Sequence, residues 1–137
     1  MGARRSRRRK TVLIVDDVED NRRIYAMFLR FEGFHVTTAV DGYDALAQVR
    51  AGLPDLVVMD LAIPGIDGWE VTRTLKRDRR TRAIPVIAVT GHALAGAEAR
   101  AREAGCDAFL TKPCLPETLS QEIRRILTRR PRRGTRR

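Results

Sequence analysis

Cysteine is scarce in this chain: Cys106 and Cys114 are its only thiols, and neither belongs to a CxxC pair. That count excludes a disulfide framework and a four-thiolate zinc site, so both cysteines are expected to be reduced and structural. Long apolar runs are missing as well. The longest aliphatic stretches, such as Val12 to Val15 and Leu56 to Met59, are about four residues against the roughly 20 needed to cross a bilayer. The basic amino terminus runs into a strand-sized apolar segment and then Asp16-Asp17, with no signal-peptide h-region, so secretion is not expected and a cytoplasmic location is. Acidic residues are absent from both ends. Residues 1–10 and 129–137 carry six cations each and no acid, which leaves 15 of the 27 cations to face all 17 acids. The formal charge of +10 therefore belongs to two tails, 1–10 and 129–137, which have no apolar spacing to bury and are expected to be disordered.

What remains, residues 11–128, is enough for one domain, and an apolar fraction of 43% supports a normal core. Short β-rich apolar runs alternate with helix-period segments, the pattern of an α/β sheet covered on both faces. Five strands are predicted near Thr11–Val15, His35–Ala39, Asp55–Met59, Ile84–Val89 and Ala108–Thr111. In the first connection Ile24, Met27, Phe28 and Phe31 recur at helical spacing before a stop at Gly33. Further helices are predicted from about Asp41 to Arg50 through Ala45, Leu46 and Val49, and from about Gly68 to Asp78 through Val71 and Leu75. A fourth, from about Ala93 to Ala104, has only Leu94, Ala97, Ala101 and Ala104 for its inner stripe and should be loosely packed. The last opens at Pro116 and lines up Leu119, Ile123, Ile126 and Leu127.

Each apolar run but the second ends on a polar side chain. Val12–Val15 leads into Asp16-Asp17, Leu56–Met59 into Asp60, Ile84–Val89 into Thr90, and Ala108–Thr111 into Lys112. In a parallel sheet these groups converge at the carboxyl edge, where open α/β folds place their ligand sites. Three carboxylates there repel one another by roughly 4 kcal/mol per pair at about 4 Å and an effective dielectric near 20. A divalent cation relieves that repulsion, and an all-oxygen site with few carboxylates suits Mg²⁺ completed by phosphate oxygens. An Asp can itself accept a phosphoryl group, with Lys and hydroxyl groups completing the clamp.

The set VLIVDD ending at Asp17, VVMDLAIPGIDG around Asp60, VTGH at Thr90 and FLTKP ending at Pro113 resembles response-regulator receiver domains, from about Lys10 to about Leu127. The resemblance implies a doubly wound, flavodoxin-like fold with five parallel strands in the order 2-1-3-4-5 and five helices. It implies Asp60 as phosphoacceptor, Asp17 as a direct Mg²⁺ ligand, Asp16 as a ligand through water, and the Ala62 backbone carbonyl as a further ligand. Thr90 and Lys112 are implied as phosphoryl contacts, Phe109 as the aromatic switch, and a cis Lys112-Pro113 bond is expected. The donor is expected to be a sensor histidine kinase or histidine phosphotransfer protein docking near the first helix. The downstream protein would read the face made by helix 4, strand 5 and helix 5. Ala62 and His92 are expected to tune the lifetime of the phosphate. Trp69 is expected to be half-buried or exposed, and Asp67 or Gly68 to cap the third helix.

Two other readings bear on the same residues. An aspartyl-phosphate hydrolase usually carries a second Asp two positions beyond the nucleophile, where this chain has Ala62, and a flavin module would not tolerate the acids from Asp16 to Asp20 in its phosphate loop. Non-specific binding of nucleic acid or another polyanion through the tails is the alternative from a different class, because they offer about twelve cations but no base-reading element.

Overall fold

Backbone amides at the start of each strand find partners one strand over, and this ladder fixes the architecture. The computed structural model describes residues 9–91 and 96–129. The strands are β1 (Thr11–Val15), β2 (His35–Ala39), β3 (Leu56–Asp60), β4 (Val86–Thr90) and β5 (Ala108–Thr111). The helices are α1 (Glu19–Phe31), α2 (Gly42–Gly52), α3 (Gly68–Arg77), α4 (Ala97–Ala104) and α5 (Pro116–Thr128). All four strand pairings are parallel, in the order β2-β1-β3-β4-β5, as expected for the doubly wound fold.

Alternation along the central strands sorts the core into two layers. Leu13, Val15, Val57, Met59, Val86 and Ala88 face α2, α3 and α4, where they meet Ala45, Val49, Val71, Leu75 and Ala101. Val12, Ile14, Leu56, Val58, Ile87 and Val89 face α1 and α5, where they meet Ala26, Leu29, Leu119, Ile123 and Ile126. A strand buried on both faces must be apolar throughout, which is why β3 and β4 read as unbroken aliphatic runs until their last residue.

Several boundaries differ from the sequence reading, each for a local reason. β3 starts at Leu56 because Asp55 bonds β1 from outside the strand: its amide donates to the Thr11 carbonyl and its carboxylate accepts from the Thr11 amide at 2.8 Å. β4 starts at Val86 because Pro85 has no N–H to give and Ile84 closes a turn onto Thr81. Asp41 lies outside α2 as its N-cap, accepting from the Asp44 amide, and α2 runs on to Gly52. Asp78 is the C-cap of α3, and its start is capped by Asp67, which accepts from the Glu70 amide. α4 is described from Ala97, after Gly96 in a left-handed conformation, and buries Ala97, Ala101 and Ala104; Ala93 and Leu94 lie outside the described residues.

The largest correction concerns α1. Of the stripe Ile24, Met27, Phe28 and Phe31, three members face solvent: Ile24 is 55% exposed, Met27 67% and Phe31 88%. The helix instead buries Ala26 and Leu29, with Tyr25 and Phe28 at the margin, a rotation of about one residue. The tails expected at 1–10 and 129–137 lie outside the described residues except for Arg9, Lys10 and Arg129, and His92 lies outside them too. Both cysteines are free. Burial pushes the Cys106 thiol up to about 11, which keeps it protonated and inert.

Candidate functional site

The hydrogen-bond ladder continues one residue past several strand ends, so the polar groups at the carboxyl edge sit on stiff backbone. The Asp16 amide donates to Ala39 O at 3.2 Å, Leu61 N to Val89 O at 3.1 Å, and Lys112 N to Thr90 O at 2.8 Å. The register sets Asp60 beside Val89 and Thr90 beside Thr111, which brings the ends of β3, β4 and β5 level. Asp16, Asp60 and Thr90 are each at most 5% exposed, whereas Asp17 is open to solvent.

Three carboxylates and one ammonium meet at this edge. Asp16, Asp17 and Asp60 each offer an oxygen within 4.8 Å of the others. Lys112 Nζ donates to Asp60 Oδ2 at 3.1 Å and to Asp16 Oδ2 at 3.3 Å. The second oxygens are held by backbone: the Ala62 amide donates to Asp60 Oδ1 at 2.9 Å, and the Val18 amide to Asp16 Oδ1 at 2.9 Å. Burial pulls the Lys112 ammonium toward a lower pKa, but the Asp60 and Asp16 carboxylates more than offset that, and it titrates above its ordinary value. One ammonium cannot neutralise three carboxylates. The donor set is all oxygen, small in number and open to water on the Asp17 side, which suits a hard divalent cation such as Mg²⁺.

Packing around Asp60 is tight where the chain turns into α3. A Cβ on Gly68 would stand 2.8 Å from the Asp60 carbonyl oxygen and 2.9 Å from Leu61 Cα, so the helix start can approach the strand end only with glycine there. On the other side, Tyr25 Oη donates to the Cys114 carbonyl at 2.7 Å, tying α1 to the segment after β5. Between them lies an open cavity of about 260 Å³ whose lining includes Asn21, Ile24, Tyr25, Lys112 and Cys114. Lys112 thus faces both the carboxylates and a surface recess bordered by exposed Ile24 and, nearby on the chain, exposed Leu115.

The expected site residues Asp16, Asp17, Asp60 and Lys112 are brought together, Thr90 ends the strand next to Asp60, and Ala62 joins through its amide. The Lys112-Pro113 bond is cis. Phe109 is half-buried against the layer that contains α3 and α4. Trp69 is half-buried, and the Arg100 guanidinium of α4 stacks 4.5 Å above its ring, a contact between α3 and α4 that no sequence spacing signals. Asn21 and Arg22 also escaped the sequence reading: Asn21 Nδ2 donates to Asp16 Oδ2 and Arg22 to the Asp16 carbonyl.

Comparison with known proteins agrees with this geometry. Residues 12–124 match the model of the response regulator receiver domain. The polar-differentiation response regulator DivK of Brucella ovis is 41% identical over 104 residues, 76% of this chain and 85% of the relative. Among solved structures, the chemotaxis protein CheY4 of Vibrio cholerae superposes with a TM-score of 0.82 at 27% identity, covering 86% of this chain and 98% of the other. A CheY-like receiver domain protein from Methanospirillum hungatei gives 0.82 at 29% identity, over 87% and 94% of the two chains.

Proposed function

The chain belongs to the response regulator receiver family of two-component signalling, and from that premise we propose that it accepts a phosphoryl group on Asp60 and so switches a protein-binding face. The observation that carries this reading is the double pairing of Lys112 with Asp60 and Asp16 inside a three-carboxylate cluster.

In the transfer step an Asp60 carboxylate oxygen attacks phosphorus, the P–N bond of a phosphohistidine breaks, and the imidazole leaves with its electron pair and takes up a proton. Asp60 is aimed by the Ala62 amide, which donates to one carboxylate oxygen, and by the Lys112 ammonium, which donates to the other. Asp16, Asp17, Asp60 and the Ala62 carbonyl would hold Mg²⁺. Bound there, the ion supplies charge neutralisation of the phosphoryl oxygens. Lys112 moves with the new charge, exchanging its carboxylate partner for a phosphoryl oxygen, and the Thr90 hydroxyl donates to another. The reaction is self-catalysed acceptance followed by autodephosphorylation, not turnover of a substrate.

The output follows from what the new contacts displace. Thr90 drawn toward the phosphoryl group vacates space that Phe109 fills, and α4, held by three alanines and the Trp69–Arg100 stack, shifts with little lost burial. The face of α4, β5 and α5 then presents a different surface to a downstream protein. The donor, a histidine kinase or histidine phosphotransfer protein, docks on α1 beside the Lys112 recess, where Ile24 and Met27 offer exposed apolar area.

Incubation with a small phosphodonor and Mg²⁺, read by intact mass, tests the acceptor. Wild type should gain one phosphate and Asp60→Asn none; equal uptake by both proteins overturns the assignment.

A further inference from the structure

The start of α2 stands against the loop that follows Asp60, and the contact is closer than ordinary packing. A Cβ on Gly42 would lie 2.5 Å from the Ile66 carbonyl oxygen and 2.6 Å from Ile66 Cγ1. A Cβ on Gly65 would lie 3.1 Å from Cε2 and 3.2 Å from Cδ2 of the Tyr43 ring. Two successive residues of the helix, Gly42 and Tyr43, thus grip two successive residues of the loop, Ile66 and Gly65. The φ of Gly65 is 79°, a left-handed turn that a side chain would strain, and the ring lies on the bare Cα it leaves. Tyr43 is 64% exposed, so its ring adds little to the core, and the loop is what it touches.

The gripping side is stiff. Asp41 Oδ1 accepts from the Asp44 amide at 2.8 Å while Asp44 Oδ2 accepts from the Val40 amide at 3.0 Å, a reciprocal pair that fixes the first turn of α2. Ala45 and Val49 seat the helix in the core, and the Asp16 amide bonds the Ala39 carbonyl just before it. The gripped side carries the chemistry. The Ala62 amide donates to Asp60 Oδ1 at 2.9 Å, and the Ala62 carbonyl would complete the Mg²⁺ set given above. Leu61 and Ile63 are buried, whereas Ala62, Pro64 and Gly65 are exposed, so the crest of the loop takes its shape from what lies against it. Pro64 has a fixed φ and restricts Ile63 before it, so a shift at Gly65 is passed back to the Ala62–Ile63 peptide instead of being absorbed on the way.

We propose that Tyr43 is a positioning residue for the metal-binding half of the site: its ring, laid on Gly65, holds the loop between β3 and α3 in the shape that aims the Ala62 carbonyl, and so sets the affinity for Mg²⁺. The proposal rests on the reading of the carboxylate cluster as a Mg²⁺ site. Tyr43 acts through backbone, as the outer partners of metal ligands do, and the ring carbons, not the hydroxyl, make the contact.

The test titrates the full chain with Mg²⁺ alone, with no phosphodonor present, and reads the dissociation constant by calorimetry and by the rise in melting temperature. Tyr43→Ala should bind Mg²⁺ at least about threefold more weakly, and Tyr43→Phe, which keeps the ring carbons that meet Gly65, should stay within that factor of wild type. In EDTA both variants should melt within about 3 °C of wild type, because the side chain is mostly exposed. The proposal is overturned if Tyr43→Ala binds within threefold of wild type, if Tyr43→Phe weakens binding as much as Tyr43→Ala does, or if Tyr43→Ala melts further below wild type in EDTA than that margin. Asp17→Asn separates the two readings, since it removes a carboxylate of the cluster and should weaken Mg²⁺ binding by at least about tenfold. If Asp17→Asn and wild type bind Mg²⁺ alike, the metal site itself falls and the role of Tyr43 with it. If Asp17→Asn loses binding while Tyr43→Ala keeps it, the role of Tyr43 falls alone.

Discussion

Lys112 Nζ lies 3.1 Å from Asp60 Oδ2, an ion pair closed across 52 residues of sequence and shielded from water on the Asp60 side. A charged hydrogen bond of this kind is worth about 1.5–3 kcal/mol. Lys112→Ala should therefore slow phosphate uptake from a small donor by roughly ten- to a hundredfold. The same substitution leaves three carboxylates with no cation, so added Mg²⁺ should raise the melting temperature of the variant more than that of wild type. Uptake within twofold of wild type would remove Lys112 from the reaction. The alkaline limb gives a second reading: because the folded-state pKa is raised, the stabilisation from Lys112 is complete below its ordinary value of 10.5 and disappears as pH rises through the higher folded value. Lys112→Ala should lack that step.

At the opposite edge, Glu32 accepts from the Ser120 hydroxyl and from Arg124, and these bonds, that of Ser120 foremost, hold its carboxyl below the ordinary 4.5. A lowered folded-state pKa means stabilisation that is complete above pH 4.5 and fades as pH falls through the folded value. Glu32→Gln should melt below wild type at neutral pH and converge on it in strong acid. Parallel melting curves across the whole range would refute the linkage.

Gly68→Ala puts a methyl group against backbone on two sides, so the strand end or the start of α3 must move. The expected cost is about 1–3 kcal/mol, with slower phosphate uptake because the shift begins at the Asp60 carbonyl. Gly52→Ala is the control. Nothing lies within 4 Å of its added carbon, and it should be neutral or stabilising by up to about 1 kcal/mol. Thermal melts and uptake rates on both variants separate crowding at the site from loss of glycine as such.

Ile24→Ser with Met27→Ser removes exposed apolar area from α1 and touches no carboxylate. Transfer from a phosphohistidine protein should fall by about tenfold, equivalent to about 1.4 kcal/mol of docking energy, while uptake from a small donor stays unchanged. If both rates fall together, the effect lies in the fold; if neither does, the donor docks elsewhere.

The site was more legible in the sequence than the helix faces were. Strand-end chemistry can be read because a parallel sheet leaves one freedom, which edge, and Asp16, Asp60, Thr90 and Lys112 all follow apolar runs. Helical periodicity says that a stripe exists without saying which stripe is buried. On α1 the stripe of Ile24, Met27 and Phe31 is the more apolar to the eye, although it is Ala26 and Leu29 that are buried in the layer against β1 and β2. The shifted starts of β3 and β4 came from Asp55 and Pro85, whose parts depend on what the neighbouring strand offers. The Trp69–Arg100 stack brings together groups with no shared spacing, so it emerges only in three dimensions.

Because every helix runs back against the strands, the amino ends of α1, α3 and α5 stand at the same carboxyl edge of the sheet as Asp60, although α3 lies on the opposite face from the other two. A helix amino end carries the equivalent of about half a positive charge, effective within its first turn. That contribution is written in peptide dipoles and survives any side-chain substitution. A receiver stripped of Lys112 therefore keeps this dipolar counterweight to its three carboxylates, set by the direction of the chain itself, and part of the electrostatics of this edge is inherited from topology before any residue type is chosen.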